Sequence, residues 1–163
     1  MALDTGTDAV LNAHAYNPAI LLLQQKFPSA IQNAVFDRNE LTLTVAREQI
    51  VTICRAVQSA GYNFFEDVTC VDVYPARPRF QVTYHILSHA LKQRLRLCVL
   101  VDDADASIDS ITAVWPAANF YEREVFDLFG VTFNGHPNLR RIMLPEDFGA
   151  HPLRKDFPVE GYR

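Results

Sequence analysis

The chain has 163 residues, of which 49% are hydrophobic and 21% charged, values typical of one globular domain with a sizeable core. Its net charge of -4 argues against a nucleic-acid-binding protein, which usually carries a basic excess. The most apolar run, 19–23, is far shorter than a membrane span, and the acidic, polar N-terminus does not resemble a signal peptide.

The first hundred residues predict two helices and five strands. In chain order these are a helix from Asn17 to Phe27, strands over 34–36 and 41–45, a helix over about 47–60, and strands over 64–74, 79–87 and 94–101. Asn17 can cap the first helix, and Pro18 suits its first turn. The polar stretch Asp37–Glu40 is typical of a hairpin turn, and Gly61 ends the second helix.

Alternating side chains along these strands predict a sheet with one buried face. The residues expected on that face are Leu41, Leu43, Val45, Phe80, Val82, Tyr84, Ile86, Leu95, Leu97, Val99 and Val101. Two helices cannot cover both faces of five strands. We therefore expect an α+β fold: a two-layer sandwich with a mixed sheet of about five strands and helices on one face. Its order is α-β-β-α-β-β-β, followed by a helix and a long extended C-terminal arm.

This pattern also predicts how the chain is divided. Residues 1–114 would form the sheet domain, with its core between 20 and 101. Residues 115–163 would form a further helix and an extended arm that binds a partner, and the arm after Gly130 would add interface but no core.

The cysteines do not indicate a metal site. Cys54, Cys70 and Cys98 are widely spaced, and no C-x-x-C pair occurs, so neither zinc nor an iron–sulfur cluster is expected. We interpret them as small core residues in a reducing compartment. The acidic stretch 102–105 lacks the glycine and glutamate that a calcium loop starting at Asp103 requires, which favours a solvated loop.

The third helix is short and charged, and Gly130 is its expected C-terminal cap. Asn119 and Glu122 resemble a capping box, although Trp115-Pro116 could start the helix a turn earlier.

A carboxylate falls within the apolar side of this helix. At 100° per residue, a solvated arc holds Phe120, Arg123, Glu124 and Asp127. Glu122 lies in the opposite, apolar arc. Because an isolated buried charge is very costly, we expect an ionised Glu122 paired with Arg140 or Arg141.

The acidic and histidine residues of this region could instead belong to a small acid/base enzyme. Glu122 and Glu124 are roughly 200° apart around the helix, so they cannot face one substrate together. Glu124 and Asp127 do share a face, the one expected to be solvated. His136 and His151 have no third ligand at a useful spacing for a metal. We therefore predict no catalytic, cofactor-binding or metal-binding residue in this chain.

The last segment, 131–163, contains four of the nine prolines and three of the six glycines, together with apolar residues and interspersed opposite charges. Low hydrophobicity and high net charge, the marks of disorder, are both absent. Such a long aperiodic segment is usually functional, and arginine and aromatic residues commonly anchor interfaces. We expect an ordered arm bound to a partner, with a strap across its own domain as the alternative.

These residues resemble the 30 kDa subunit family of respiratory NADH:quinone oxidoreductase (complex I). The resemblance covers about 115–162, including the runs 144–148 and 151–158. Its signature, which we take as the candidate interface with other subunits, comprises Glu122, Arg123, Glu124, Asp127, His136, Arg140, Arg141, His151, Arg154, Lys155 and Asp156.

The resemblance implies a non-catalytic subunit that carries no cofactor. It would lie in the hydrophilic arm of a proton-translocating complex that uses NADH, FMN, iron–sulfur clusters and quinone. Its partners would be the hydrogenase-like 49 kDa subunit and the subunit with the terminal iron–sulfur cluster. Its place would be peripheral, on the cytoplasmic side of the membrane, with membrane contact only through the complex. Ferredoxin-dependent dehydrogenases and membrane-bound hydrogenases use similar subunits, and the sequence does not separate these electron donors.

Overall fold

A computed structural model describes residues 5–158 and residue 160. Its helices are α1 Thr5–Ala13, α2 Pro18–Lys26, α3 Ile50–Ser59 and α4 Ala118–Phe129, with short 3-10 turns at Arg47–Gln49 and Asp103–Asp105. Its strands are β1 Ile31–Asp37, β2 Glu40–Val45, β3 Phe64–Asp72, β4 Phe80–Ser88, β5 Gln93–Val101, β6 Ser107–Asp109 and β7 Thr132–Asn134. Among the described residues, no helix is both long and apolar enough to cross a membrane.

Five strands form one mixed sheet in the order β1-β2-β5-β4-β3. β2 and β5 are parallel, and the other neighbouring pairs are antiparallel. The predicted hairpin turn is confirmed: Asp37 faces Glu40, and Arg38 and Asn39 have φ angles of 50° and 64°. Two central residues with positive φ match the twist of the flanking strands.

The alternation predicted along the strands is confirmed. Every expected core-facing residue of β2, β4 and β5 is buried, and most residues between them are partly exposed. Across the central pair, Val82 faces Val99 and Tyr84 faces Leu97. The same hydrophobic core includes apolar residues of α2, α3 and α4. The fold is therefore the expected α+β arrangement of a five-stranded mixed sheet and helices.

An additional helix precedes the first predicted one. In α1, Leu11 is buried, and the Thr7 hydroxyl donates to Asn33 Oδ1 at 2.7 Å, which joins the helix to β1. The helix predicted after Asn17 is α2, and the Asn17 side chain accepts the Ala19 N–H at 2.9 Å, as expected for a capping residue.

The core extends well beyond the predicted limit at residue 101. Its further buried apolar residues include Ile108, Ile111, Trp115, Ala118, Val125, Phe129, Val131 and Phe133. β6 and β7 form a small parallel pair that joins residues 107–109 to residues 132–134. The expectation that the arm after Gly130 adds no core is therefore wrong, since Val131 and Phe133 are buried. The core is continuous across the predicted division at 114–115, and the role of that division in assembly stays a prediction.

All three cysteines are buried with free thiols, as expected of core residues. The acidic stretch is partly neutralised by arginines: Arg77 pairs with Asp102 and Asp103, and Arg47 Nη1 lies 2.9 Å from Asp105 Oδ2. Within the described part of the chain, no group of three or more His, Cys, Asp or Glu residues could hold a metal ion.

Candidate functional site

The site is built on α4, whose two ends are fixed differently. Among the described residues, no side chain caps its first turn, so the predicted capping box between Asn119 and Glu122 is wrong. Gly130 does end the helix, with a φ of 73°. A Cβ at this position would lie 2.5 Å from Arg154 Nη2 and 2.6 Å from the His151 ring. Both the backbone conformation and the close approach of these side chains therefore require glycine.

Asp127 is a fully buried carboxylate at the centre of the site. Its Oδ2 accepts the N–H groups of Ile142, Met143 and Leu144 at 2.9, 2.7 and 2.9 Å, and its Oδ1 accepts Arg141 Nη1 at 2.6 Å. Burial alone would raise the pKa of Asp127, but these donors outweigh it and hold the pKa below its ordinary value. The residue is therefore an ionised anchor for a loop of the arm.

That loop, residues 140–144, covers the side of α4 that we predicted to be solvated. Arg123 is buried, and its Nε and Nη2 donate to the carbonyl oxygens of Arg140 and Arg141 at 3.1 and 3.0 Å. The predicted exposure of Arg123 and Asp127 is therefore wrong, because the loop supplies donors and acceptors for both. Glu124 and Phe120 are exposed, as expected.

A second stretch of the arm closes the C-terminal end of α4. His151 Nδ1 donates to Asp127 O at 2.9 Å, Leu153 N–H to Leu128 O at 3.1 Å, and Arg154 Nε to Phe129 O at 2.5 Å. These carbonyl oxygens have no partner within the helix, and cationic groups are favourable at this end of the helix dipole. Burial, with the charges of Arg154 and Arg141, lowers the pKa of His151.

A third contact holds the arm against the turn between β3 and β4. Asp72 is buried and accepts the guanidinium of Arg79 and the N–H groups of Tyr74 and Lys155, the last at 2.8 Å. Arg79 also donates to both carboxylate oxygens of Asp156 at 3.0 and 2.7 Å. Burial would raise the pKa of Asp72, but these bonds outweigh it and lower the pKa to about 2. We call Asp72, Arg79, Lys155 and Asp156 the Asp72 cluster.

Glu122 is buried as predicted, but its partners differ from those expected. Its Oε1 accepts the Ile111 N–H at 2.8 Å, and its Oε2 accepts the Ser110 hydroxyl at 2.6 Å. Arg141 instead binds Asp127, and the exposed Arg140 accepts a bond from Arg123 at its carbonyl oxygen. Burial raises the pKa of Glu122 to about 7, against the effect of its two hydrogen bonds. The predicted pairing of an ionised Glu122 with arginine is therefore wrong.

His136 lies beside Glu122 without forming a close ion pair. Its Nε2 is 4.0 Å from Glu122 Oε2 but 3.1 Å from the carbonyl oxygen of Asn119. The Asn138 N–H donates to His136 Nδ1 at 3.0 Å, so Nδ1 is an acceptor and the ring proton is on Nε2. His136 therefore ties the start of the arm to the first turn of α4.

The structure brings most of the predicted signature residues together around α4. Arg123, Asp127, Arg141, His151 and Arg154 form one network, and Lys155 and Asp156 belong to the Asp72 cluster. The prediction missed Asp72, Arg79 and Ser110, because no spacing marked these residues as partners of an arm far along the chain. The arm, 131–158 as described, is thus a strap across its own domain.

Apolar side chains lie on the outside of this fixed strap. Met143 is 62% exposed, Leu153 50% and Ile142 39%, and Phe120 on the adjacent α4 is 62% exposed. The fixed strap and the adjacent helix therefore expose hydrophobic side chains at the surface.

A family model described as the 30 Kd subunit of respiratory-chain NADH dehydrogenase matches residues 43–163. The chain belongs to this family. A subunit of NADH-quinone oxidoreductase from Geobacter sulfurreducens is 50% identical over 147 residues, covering 89% of this chain and 91% of that protein. Its counterpart from Roseiflexus castenholzii is 43% identical over 147 residues, covering 88% and 84%. The family predicted from the signature is confirmed.

Two solved structures resemble this member of the 30 kDa subunit family. One is the trypsin-resistant fragment of Nqo5, with a TM-score of 0.60 and 34% identity, covering 65% of this chain and 88% of the fragment. The other is a chain of the membrane-bound sulfane sulfur reductase, an archaeal respiratory membrane complex. Its TM-score is 0.76 at 24% identity, covering 91% of this chain and 86% of that one, and it supports the fold alone.

Proposed function

We propose that this chain is a non-catalytic structural subunit in the hydrophilic arm of a proton-translocating NADH:quinone oxidoreductase. In this proposal electrons pass from NADH through FMN and iron–sulfur clusters to quinone on other subunits. The chain itself binds none of these cofactors. It lies on the cytoplasmic side of the membrane and reaches the membrane only through the complex.

The observation that carries this proposal is the combination of a fixed arm and outward apolar groups. Asp127 holds three consecutive N–H groups of the arm, and Met143 and Leu153 beside these contacts are at least half exposed. Side chains of this kind, on a backbone already ordered, lose less conformational entropy on binding than those of a flexible segment. The arm is therefore suited to dock on another protein.

The polar groups of the arm support a structural role over a catalytic one. Asp127 and Asp72 are saturated by internal donors, and His151 and His136 each use a ring nitrogen on a main-chain carbonyl oxygen. Glu122 is enclosed by Ser110 and Ile111. A general acid or base must reach substrate, and these groups are instead engaged in holding the arm.

The partners we propose are the hydrogenase-like 49 kDa subunit and the subunit that carries the terminal iron–sulfur cluster. Relatives named for NADH-quinone oxidoreductase are 50% and 43% identical to this chain, which favours this complex over a ferredoxin-dependent dehydrogenase or a membrane-bound hydrogenase. The signature residues then serve the interface indirectly, by setting the shape of the arm.

Assembly of the complex with two matched surface variants tests the proposal. Met143→Glu places a charge on the exposed part of the arm, and Leu21→Glu does the same at a 52% exposed position of α2. Both isolated chains should unfold at the same denaturant concentration, because both side chains already contact water. We expect Leu21→Glu to co-purify with iron–sulfur subunits at the wild-type yield and Met143→Glu to be lost from them.

Equal recovery of the two variants would contradict docking through the arm. Turnover or stoichiometric metal or flavin in the pure, isolated chain would instead support the acid/base or cofactor-binding enzyme. Metal analysis and an absorption spectrum of that preparation distinguish these cases.

A further inference from the structure

A cleft of about 650 Å³ lies at one end of the sheet. Three connections line it: the turn between α1 and α2, the β1–β2 hairpin and the β4–β5 hairpin. β2 and β5 are parallel and in register, so the two hairpins that precede these strands lie side by side. β4 runs from Phe80, opposite Asp72, to Ser88 at the cleft, which is roughly 27 Å at the usual rise of a strand. The cleft is therefore a different surface from the strap.

The floor of the cleft is fixed by internal hydrogen bonds. Asn17 is buried, and its Nδ2 donates to the Tyr62 hydroxyl oxygen at 2.8 Å and to Gln93 Oε1 at 3.2 Å. The Tyr62 hydroxyl donates to Gln93 Oε1 at 2.9 Å, and the Ser88 hydroxyl oxygen accepts the Leu91 N–H at 3.2 Å. These bonds join the turn between the helices to the β4–β5 hairpin, so the cleft is already formed without a ligand.

Two basic side chains at the cleft have no effective partner. The charged residues that line it are Arg38, Lys92, Arg94 and Glu40. Arg94 is balanced by Glu40, whose carboxylate lies 3.6 Å away. Lys92 has no hydrogen bond or ion pair among the described residues, and Arg38 lies 3.7 Å from an Asp37 side chain that is itself 70% exposed. Exposed pairs of this kind are screened by water and contribute little. In a chain whose net charge is -4, the cleft is thus locally positive.

Both of these cations occupy turn positions that glycine would adopt at less cost. The φ angles of Arg38 and Lys92 are 50° and 52°, in the left-handed region where the backbone crowds a Cβ atom. Both side chains are exposed, so packing does not offset this strain. Residues held in such conformations are concentrated at functional sites. The two hairpins therefore each hold a cation at the cleft at some loss of stability.

Exposed aromatic and aliphatic groups adjoin these charges. Tyr16 is 70% exposed, Phe36 41% and Leu91 38%, and all three line the cleft. The His14 ring packs on Phe36, with the ring centroids 4.0 Å apart. Aromatic residues are enriched at protein interfaces, where they supply much of the binding energy. A ligand that covers this cleft must therefore match apolar groups as well as two cations.

We propose that this cleft binds an acidic segment of a partner subunit. The carboxylates of the segment would pair with Arg38 and Lys92. An apolar side chain of the same segment would lie against Tyr16, Phe36 and Leu91. The proposal rests on the proposed function, since it assumes a complex in which this chain has partners. It gives that complex a second contact, at the end of the sheet opposite to the Asp72 cluster.

Charge and shape favour such a segment over other occupants. In a symmetric pair of copies each cleft would face the other, and their Arg38 and Lys92 side chains would repel. A small anion such as inorganic phosphate would satisfy these cations but leave Tyr16 and Phe36 exposed. An acidic peptide with one apolar side chain covers the charges and the rings together.

Photo-cross-linking in the assembled complex identifies the occupant. A benzophenone-containing amino acid replaces Leu91, an exposed residue of the cleft, and mass spectrometry reads the sequence attached to it. We expect a segment of another subunit that carries a net negative charge and at least one apolar residue beside its acidic ones.

A double variant tests the two cations without disturbing the fold. Arg38→Gly combined with Lys92→Gly removes two charges and supplies the residue that a positive φ favours. The isolated chain should therefore unfold at no lower denaturant concentration than the wild type. Lys26→Ala combined with Arg55→Ala is the control, since it removes the same charge from exposed positions of α2 and α3 outside the cleft. With the photo-reactive residue in both, we expect the cross-link yield to fall at least fivefold in the glycine variant and to stay unchanged in the control.

Each other result overturns a definite statement. A cross-link to a neutral or basic segment refutes the acidic occupant, and a cross-link to another copy of this chain identifies a dimer instead. If a complex that contains the chain gives no protein cross-link, docking of a segment in the cleft is refuted and the proposed function stands. A chain that never co-purifies with iron–sulfur subunits refutes both. Equal cross-link yields in the two double variants would show that Arg38 and Lys92 do not hold the segment.

Discussion

Replacing Asp127 by alanine removes the acceptor on which the arm depends. Four donors then lose their partner: the N–H groups of Ile142, Met143 and Leu144, and the guanidinium of Arg141. Their bonds to the carboxylate are 2.6–2.9 Å long, as expected for charge-assisted hydrogen bonds. The substitution should therefore destabilise the folded chain strongly.

The magnitude follows from the burial of the pair. Breaking a buried ion pair by removing one partner costs about 3–5 kcal/mol, because the surviving charge is left uncompensated. Hydrogen bonds to charged groups contribute about 1.5–3 kcal/mol each, but they do not add, since Ile142 and Met143 are exposed and water can reach the opened loop. We therefore expect Asp127→Ala to lose about 3–5 kcal/mol, a large part of a typical stability of about 5–15 kcal/mol.

Chemical denaturation of the isolated chain measures this loss. Glu124→Ala is the matched control, since its carboxylate lies one turn earlier on the same helix and is exposed. It should leave the unfolding midpoint unchanged. Asp127→Asn keeps the shape of the side chain and one acceptor, so its midpoint should lie between those of the wild type and Asp127→Ala. If the loop opens locally first, the amides of 142–144 will exchange faster before global unfolding. Equal midpoints for the two alanine variants, with unchanged exchange at 142–144, would refute the reasoning.

Three further predictions concern Glu122, Gly130 and the arm as a whole. Because the pKa of Glu122 rises from 4.5 to about 7 on folding, the folded state binds the extra proton and stability falls as pH rises through this window. Between those pH values the free energy of unfolding of the wild type, measured by chemical denaturation, should fall by roughly 3 kcal/mol relative to that of Glu122→Gln. If the two free energies differ by the same amount at both pH values, the shift in the Glu122 pKa is contradicted. Gly130→Ala should cost at least about 1 kcal/mol, because φ is 73° and Arg154 is close; an unchanged melting temperature would argue against this account. Truncation after Gly130 should broaden or abolish cooperative unfolding, because it removes the buried Val131 and Phe133; a wild-type transition by circular dichroism would show that the core does not need them.

The sheet could be predicted from the sequence because each strand carries its own signal. In β4 and β5 a period of two separates buried from partly exposed residues, and tertiary contacts agree with that local pattern. α1 lacks a comparable signal, since Leu11 is its one buried apolar side chain among those described. β6 and β7 have three residues each, too few for any periodicity to be recognised.

The candidate site could be predicted only in outline. The helical period located Glu122 on the buried side, but its partners Ser110 and Ile111 come from a turn that has no pattern of its own. Asp127 was predicted to be exposed because the helical period shows which face of a helix is polar. It does not show whether another segment of the chain packs on that face. Arg79 is charged and yet buried, because Asp72 and Asp156 satisfy its charge. Such pairings depend on the tertiary fold.

The bond from Lys155 to Asp72 joins residues 83 positions apart and has a consequence for synthesis. A ribosome releases the sheet before the arm, and domains begin to fold from their N-terminal part during translation. Until residues 140–156 emerge, Asp127 lacks the donors of the arm and Asp72 lacks the Lys155 N–H, although Arg79 and Tyr74 are available to Asp72. The docking shape of the arm is completed only when 151–156 has been made. A prematurely terminated chain would therefore be unable to present that shape, and incorporation would select finished copies.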